Sequence, residues 1–434
     1  MLLSERKGNN MLIQFSVSNY MSIKGEVTLS MLAGKDREHS DSLIDFEKER
    51  ILSSAGIYGA NAAGKSNIFK ALTAVIIIVR TSNARQINEK IPMIVPFKFD
   101  DESSKMPTSF GFIFTNNGRK YEYGFTADEN RVYEEYLYEY KTAKPSKVFE
   151  RTAISKYEFI KADEKEFNGY VGKNTDNKLF LATATAWNCE RTKDAYMWLA
   201  EGIDTYNSQS LEGAAMPELE NDKDGSLEAF LTDMLHKADI NISGYNFTTK
   251  EITNEDISKL PLPPGIEISK AIQDKGIGAI KQYEIVTNHD IKNKSGSKNY
   301  ALPFAIESEG TKRLFFFSPV IKKAMESGKT VVVDEIDDSL HPLLVNAIIE
   351  LFNDREVNTK GAQLIFNTHD VSLLSLDNFR RDQIYFTEKD NKTGVTDLYS
   401  LDEFSPRKTE NIRKGYLQGR YGAIPVIEPG GLKW

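Results

Sequence analysis

Residues 59–66 read Gly59-Ala60-Asn61-Ala62-Ala63-Gly64-Lys65-Ser66. The octapeptide fits the phosphate-binding pattern G-x-x-x-x-G-K-[ST] at every fixed position. Its glycines let the backbone turn sharply and aim N–H groups inward at phosphate oxygens. Lys65 is placed to reach the β- and γ-phosphates of a nucleoside triphosphate, and the Ser66 hydroxyl to ligate Mg²⁺. The flanks agree. The mostly apolar run Ile51 to Tyr58 reads as a buried strand, and residues 67–79 read as a helix with Ile68, Phe69, Leu72, Val75 and Ile76 on its apolar face. Strand, loop and helix in that order set a helix N-terminus against the phosphates.

A second group of motifs lies far downstream. Residues 330–335 are Thr-Val-Val-Val-Asp-Glu, a β-branched run ending in two carboxylates, as expected of a central parallel strand with acids at its carboxyl end. Beside a P-loop, Asp334 is the candidate Mg²⁺ ligand and Glu335 the candidate base that polarises a water in line with the γ-phosphate. The next apolar run, from Gln363, ends in His369, which can hydrogen-bond the γ-phosphate or the attacking water. Residues 307–314, Glu-Ser-Glu-Gly-Thr-Lys-Arg-Leu, place Ser308 as a helix cap, so that Glu309-Gly310-Thr311 presents backbone N–H groups at a second anion-binding helix start. Pro319 is expected to kink that helix or begin a new turn.

Composition narrows the class. A chain of 434 residues with 27% charged and 40% hydrophobic content is globular, and its net charge of −8 argues against a broad non-specific grip on nucleic acid. The single cysteine, Cys189, excludes an internal disulfide and a cysteine-based zinc site and fits a reducing cytoplasm. No apolar stretch is long enough to cross a bilayer. Residues 1–10 carry charges and no apolar core, so they read as a loose extension. Residues 11–31 alternate like two strands around a turn at 22–25. Phe110, Phe112 and Phe114, the Asn116-Asn117-Gly118 turn, and Tyr121, Tyr123 and Phe125 make a β-hairpin. Residues 132–140 and 147–160 continue the antiparallel pattern, 227–238 has helical spacing, and 260–265 reads as a linker.

The order P-loop, Ser-x-Gly helix start, Asp-Glu strand, histidine strand resembles the ABC-type ATPases of the SMC/RecF/OLD-like branch. Ser-Glu-Gly-Thr-Lys-Arg-Leu at 308–314, Ser-Leu-His-Pro at 339–342 and the run from Tyr416 to Pro425 look most like the RloA/AbiLii-like ATPases of phage-defence loci, which include the ATPase subunit of the PARIS system. The resemblance covers the first ~130 residues and 300–425 well, and the middle poorly. It implies an α/β P-loop fold of ABC-ATPase head type, with a mixed central sheet, an antiparallel β lobe and an inserted, mostly helical segment. The implied domains are an N-terminal lobe at 1–170, the insert at 171–299 and a C-terminal lobe at 300–434. Implied site residues are Gly59, Asn61, Gly64, Lys65, Ser66 and Asn67 for the phosphates, Ser66 and Asp334 for Mg²⁺, and Glu335 and His369 for the chemistry. Ser308, Gly310 and Thr311 would be the signature that closes the site in trans, from the second head of a homodimer.

The resemblance further implies an ATPase of the cytoplasm, with higher assemblies of dimers left open and no membrane contact. The residues themselves leave ATP and GTP open, and the resemblance favours ATP. No sustained heptads or Cys-x-x-Cys hook occur, and the stretch after His369 is too short for a Toprim nuclease. A separate effector encoded nearby, most simply a nuclease, is therefore expected in anti-phage defence. The alternatives are a RecF-like DNA-repair or DNA-clamping ATPase, for which Lys270, Lys275, Lys281, Lys292, Lys294 and Lys298 would be the basic face, and a scaffold with a relic nucleotide site.

Overall fold

The computed structural model describes residues 10–251, 281–293 and 296–425. The linker expected at 260–265, nearly all of the 1–10 extension, and Lys270, Lys275 and Lys294 lie outside these residues. Two compact units emerge: residues Met1–Asn207 with Lys323–Trp434, and Ser208–Lys322.

The first unit contains two large sheets and a small one that pairs Ile44–Phe46 with Glu49–Ile51. One large sheet has six strands in the order Ile203–Tyr206, Thr330–Val333, Gln363–Asn367, Ser54–Gly59, Ile384–Lys389 and Thr396–Ser400. The first five run parallel and the last is antiparallel. Both faces of the inner strands are covered, which is why their sequences read as unbroken apolar runs. The helix Lys65–Ser82 follows the P-loop and buries Ile68, Phe69, Leu72, Val75 and Ile76. The other large sheet has seven antiparallel strands: Lys156–Phe159, Pro145–Thr152, Val132–Tyr140, Arg119–Ala127, Thr108–Asn116, Met11–Ser18 and Val27–Ser30. The expected hairpin turns at Asn117-Gly118, with Asn116 opposite Arg119, and its four phenylalanines are buried.

The unit bounds differ from the expected insert at 171–299. Residues 171–207 pack in the first unit because their buried aromatics find partners there: Trp198 stacks on Phe114 at 4.2 Å between ring centroids, and Phe180 meets Phe149 at 5.0 Å. The second unit pairs the strands Gly244–Glu251, Lys281–Asn293 and Gly296–Pro303 as an antiparallel sheet. Tyr245 and Phe304 pack on Phe315, with centroids 5.1 and 4.6 Å apart. Lys292 and Lys298 are exposed on this sheet. Pro319 neither ends nor restarts its helix, which runs unbroken over Glu309–Ser327. Burial of Phe315 and Phe317 before it and Val320 and Ile321 after it outweighs the one lost backbone bond.

Gln363 ties the two large sheets of the first unit together. Its Oε1 accepts from Leu12 N (2.7 Å) and from the Thr330 hydroxyl (2.9 Å). Its Nε2 donates to Leu12 O (3.0 Å) and Leu52 O (2.9 Å). One carboxamide thus satisfies both backbone groups of Leu12, where a register shift interrupts the ladder between Met11–Ser18 and Thr108–Asn116. Replacing Gln363 by Leu strands these buried groups and is expected to destabilise the chain by about 3 kcal/mol, read as a lower midpoint in urea denaturation followed by tryptophan fluorescence.

Candidate functional site

Parallel pairing aligns the carboxyl ends of three neighbouring strands. The P-loop leaves Ser54–Gly59, the acids follow Thr330–Val333, and Gln363–Asn367 lies between them. The intervening strand ends at Asn367, so His369 stands in the loop two residues beyond it. A cavity of about 560 Å³ opens at these ends, lined by residues 61–67 with Glu335, His369 and Lys389. Residues 61–67, Glu335 and His369 therefore meet in one place, and Asp334 joins them through Ser66.

The loop's shape follows from its residues. Gly64 has φ +104° and lies so close to Thr396 that a Cβ would stand 2.4 Å from its hydroxyl oxygen. Only glycine satisfies both conditions. The Thr396 hydroxyl donates to Ala63 O (3.0 Å) and stands 2.8 Å from the Ser22 hydroxyl, which also accepts from Asn67 Nδ2 (2.6 Å). Asn67, Ser22 and Thr396 thus form a polar brace behind the loop. Lys65 is 5% exposed, and its Nζ donates to Gly59 O (2.8 Å) and Ala60 O (3.1 Å). Burial lowers its pKa to about 8, while the carboxylates of Asp337, Glu335 and Asp334 hold it up.

Asn367 organises the acids. Its Oδ1 accepts from Glu335 N (2.7 Å), and its Nδ2 donates to Asp334 Oδ1. This holds Glu335 at φ +55°, a left-handed conformation that costs a non-glycine residue on the order of 1 kcal/mol. The Ser66 hydroxyl donates to the same Asp334 oxygen at 3.1 Å. A hydroxyl and a carboxylate converging from two strand ends are the hard oxygen donors that Mg²⁺ prefers, so the residues fit that ion. The His369 ring lies between two charged groups, Nδ1 3.4 Å from Lys65 Nζ and Nε2 3.8 Å from Glu335 Oε1. Its backbone N–H donates to Asp337 Oδ2 (3.2 Å).

Ser308, Gly310 and Thr311 belong to the second unit. The Ser308 hydroxyl accepts from Thr311 N at 3.1 Å, capping the helix that begins at Glu309. Just ahead of it, Glu307 is anchored by the Thr287 hydroxyl (2.6 Å) and faces His289 Nε2 (2.9 Å). With Thr311 N satisfied, the N–H groups of Glu309 and Gly310 are left pointing forward from the helix start.

Sequence reading did not single out Asn367, Ser22, Thr396 or Lys389. Asn367 left a trace, as the one amide at the end of an apolar buried strand. The other three reach the P-loop from elsewhere in the chain and leave no local pattern.

No curated protein sequence matches the chain. Among solved structures, the SMC head domain from Thermotoga maritima is similar at 12% identity, with 90% of this chain and 98% of that one covered and a TM-score of 0.38. The Smc head domain with an extended coiled coil bound to the C-terminal domain of ScpA, from Pyrococcus furiosus, is similar at 13% identity, with 91% and 98% covered and a TM-score of 0.41. The parallel strand order, with the P-loop and the acids at one carboxyl edge, is an α/β P-loop architecture. Residues 54–166 and 233–375, more than half of the chain, match the family described as "AAA domain, putative AbiEii toxin, Type IV TA system". The P-loop strand, both acids and the histidine fall within the matched residues, and the chain belongs to this AAA-domain family.

Proposed function

We propose that this protein is a Mg²⁺-dependent ATPase that pairs head-to-tail with a second copy around ATP and governs a separate effector in bacterial anti-phage defence, in the manner of the RloA/AbiLii-like group that includes the PARIS ATPase subunit. The observation that carries the ATPase reading is the 3.1 Å contact between Ser66 and Asp334 on the cavity that also holds Glu335 and His369. In this reading Gly59, Asn61, Gly64, Lys65, Ser66 and Asn67 cradle the phosphates. Ser66 and Asp334 would hold Mg²⁺, which neutralises phosphate charge when bound. Water attacks the γ-phosphorus, Glu335 takes its proton, and ADP and phosphate leave. His369 hydrogen-bonds the γ-phosphate or that water.

The forward-pointing N–H groups at Glu309 and Gly310 support a trans role, because a helix start is a ready anion site. Ser308, Gly310 and Thr311 of one head would cap the nucleotide of the other. The unit of residues 1–207 and 323–434 would carry the P-loop and the acids, and residues 208–251 of the other unit would offer an effector its docking surface. The defence role is supported by the family's description, which names an AbiEii toxin and a type IV TA system. Among the described residues no helix is long and apolar enough to cross a membrane, in keeping with a cytoplasmic role.

Glu335→Gln is expected to slow phosphate release at least 100-fold while ATP still drives dimerisation, seen by light scattering. Ser308→Arg should abolish that dimerisation and leave ATP binding intact. Hydrolysis unchanged in E335Q would remove Glu335 as the base.

Lys65 supplies a pH test. Its pKa of about 8 means that the ammonium is charged below that pH and loses its proton as pH rises through it. ATP should therefore bind more weakly above pH 8, by up to about tenfold per unit. Lys65→Arg, charged throughout, should lose this dependence even if its affinity is lower, as calorimetric titration from pH 7 to 9.5 would show.

For the defence role, the protein expressed with its neighbouring genes should co-purify with one neighbour and reduce phage plaque numbers. A protein that purifies alone and protects no cells would sink that part of the reading.

A further inference from the structure

A second cavity, of about 1110 Å³, adjoins the phosphate cavity. The two share Asn61, Ala62 and Ala63 of the P-loop, and Lys389 lines both. A triphosphate laid along Gly64 to Ser66 must direct its nucleoside out of the smaller cavity, and the larger one continues the P-loop wall.

Two side chains there lack an ordinary structural task. Phe99 is 71% exposed, an unusual loss of burial for a phenyl ring. It is nevertheless held in place. The buried ring of Phe97 meets it edge-on at 5.7 Å and 86°, and Phe97 N is fixed by Asn19 Oδ1 (3.2 Å). Gly394, at φ +71°, approaches so closely that a Cβ would stand 2.6 Å from the ring. The result is a positioned aromatic surface facing water.

Lys389 is the other. It ends the strand beside the P-loop strand, two residues after Thr387, which pairs with Gly59. Its ammonium lies over the Phe99 ring, 5.8 Å from the centroid, and among the described residues it forms no ion pair. Several neighbouring charged groups have partners of their own. Lys24 pairs with Asp100 at 2.5 Å, Asp390 accepts from Lys392 N and Thr393 N, and Glu388 accepts from the Tyr399 hydroxyl. Lys389 thus offers a cation beside the P-loop that no carboxylate pairs with among the described residues, as an anion requires.

We propose that Phe99 and Lys389 form the nucleoside half of the ATP site: the base stacks on Phe99 in the larger cavity, and Lys389 contacts the phosphate nearest the ribose. The inference rests on the ATPase reading and extends it to two side chains outside the P-loop. With the nearby carboxylates engaged, base recognition is by stacking, which tolerates any base with a π-face.

Calorimetric titration of the full chain with ATP and with inorganic tripolyphosphate tests it, folding of each variant being checked by circular dichroism. Phe99→Ala should weaken ATP about 10-fold to 100-fold and leave tripolyphosphate unchanged. Phe99→Trp should restore ATP binding, with indole fluorescence quenched by ATP but not by tripolyphosphate. Lys389→Ala should weaken both probes. Wild-type affinity for ATP in F99A, or an equal loss of both probes there, would overturn the inference while leaving the ATPase reading intact. Wild-type protein that binds neither probe would sink both.

Discussion

Parallel pairing in one register is the constraint on which the rest of this molecule depends. Ser54–Gly59, Gln363–Asn367 and Thr330–Val333 are adjacent and run the same way, so their carboxyl ends finish side by side. Everything chemical hangs from that edge. A slip of one residue would turn every side chain to the other face, and Asn367 would then miss both Asp334 and the Glu335 amide. The inner strands are buried on both faces, which lets three strand ends carry polar groups into one cavity without an apolar face being left in water.

Buried carboxamides do much of the fixing. Gln363 at the start of the histidine strand and Asn367 at its end each bridge groups that would otherwise be unsatisfied, one between sheets and the other between acids. An amide carries both a donor and an acceptor, so it can hold a backbone N–H and a neighbouring oxygen together. In a low-dielectric interior, such fully satisfied networks specify one arrangement and penalise others. The same logic holds behind the P-loop, where Ser22, in the turn after the first strand, and Thr396, at the start of the last, support the loop.

The buried ammonium of Lys65 is the electrostatic counterpart. Desolvation pulls its pKa down to about 8, and three carboxylates beside it oppose that pull. A cation held under such tension is answered by phosphate charge, which satisfies it more fully than backbone carbonyls do. The acids that temper Lys65 include Asp334 and Glu335, so the charges of the cavity act as one set and no single substitution among them is purely local.

The sequence by itself determined the P-loop, its strand and helix, the acidic and histidine strands, the capped start at Ser308 and the antiparallel hairpin at 108–127. Each rests on local chemistry: glycine spacing, period-two alternation, a cap followed by a helical run. What local pattern cannot encode was left to tertiary structure. The helix through Pro319 survives because packing on both sides outweighs one backbone bond. Residues 171–207 join the first unit because Trp198 and Phe180 find aromatic partners far away in the chain. Asn367, Thr396, Ser22, Lys389 and Phe99 matter only through neighbours that the fold brings to them, across separations for which a sequence has no periodicity to show.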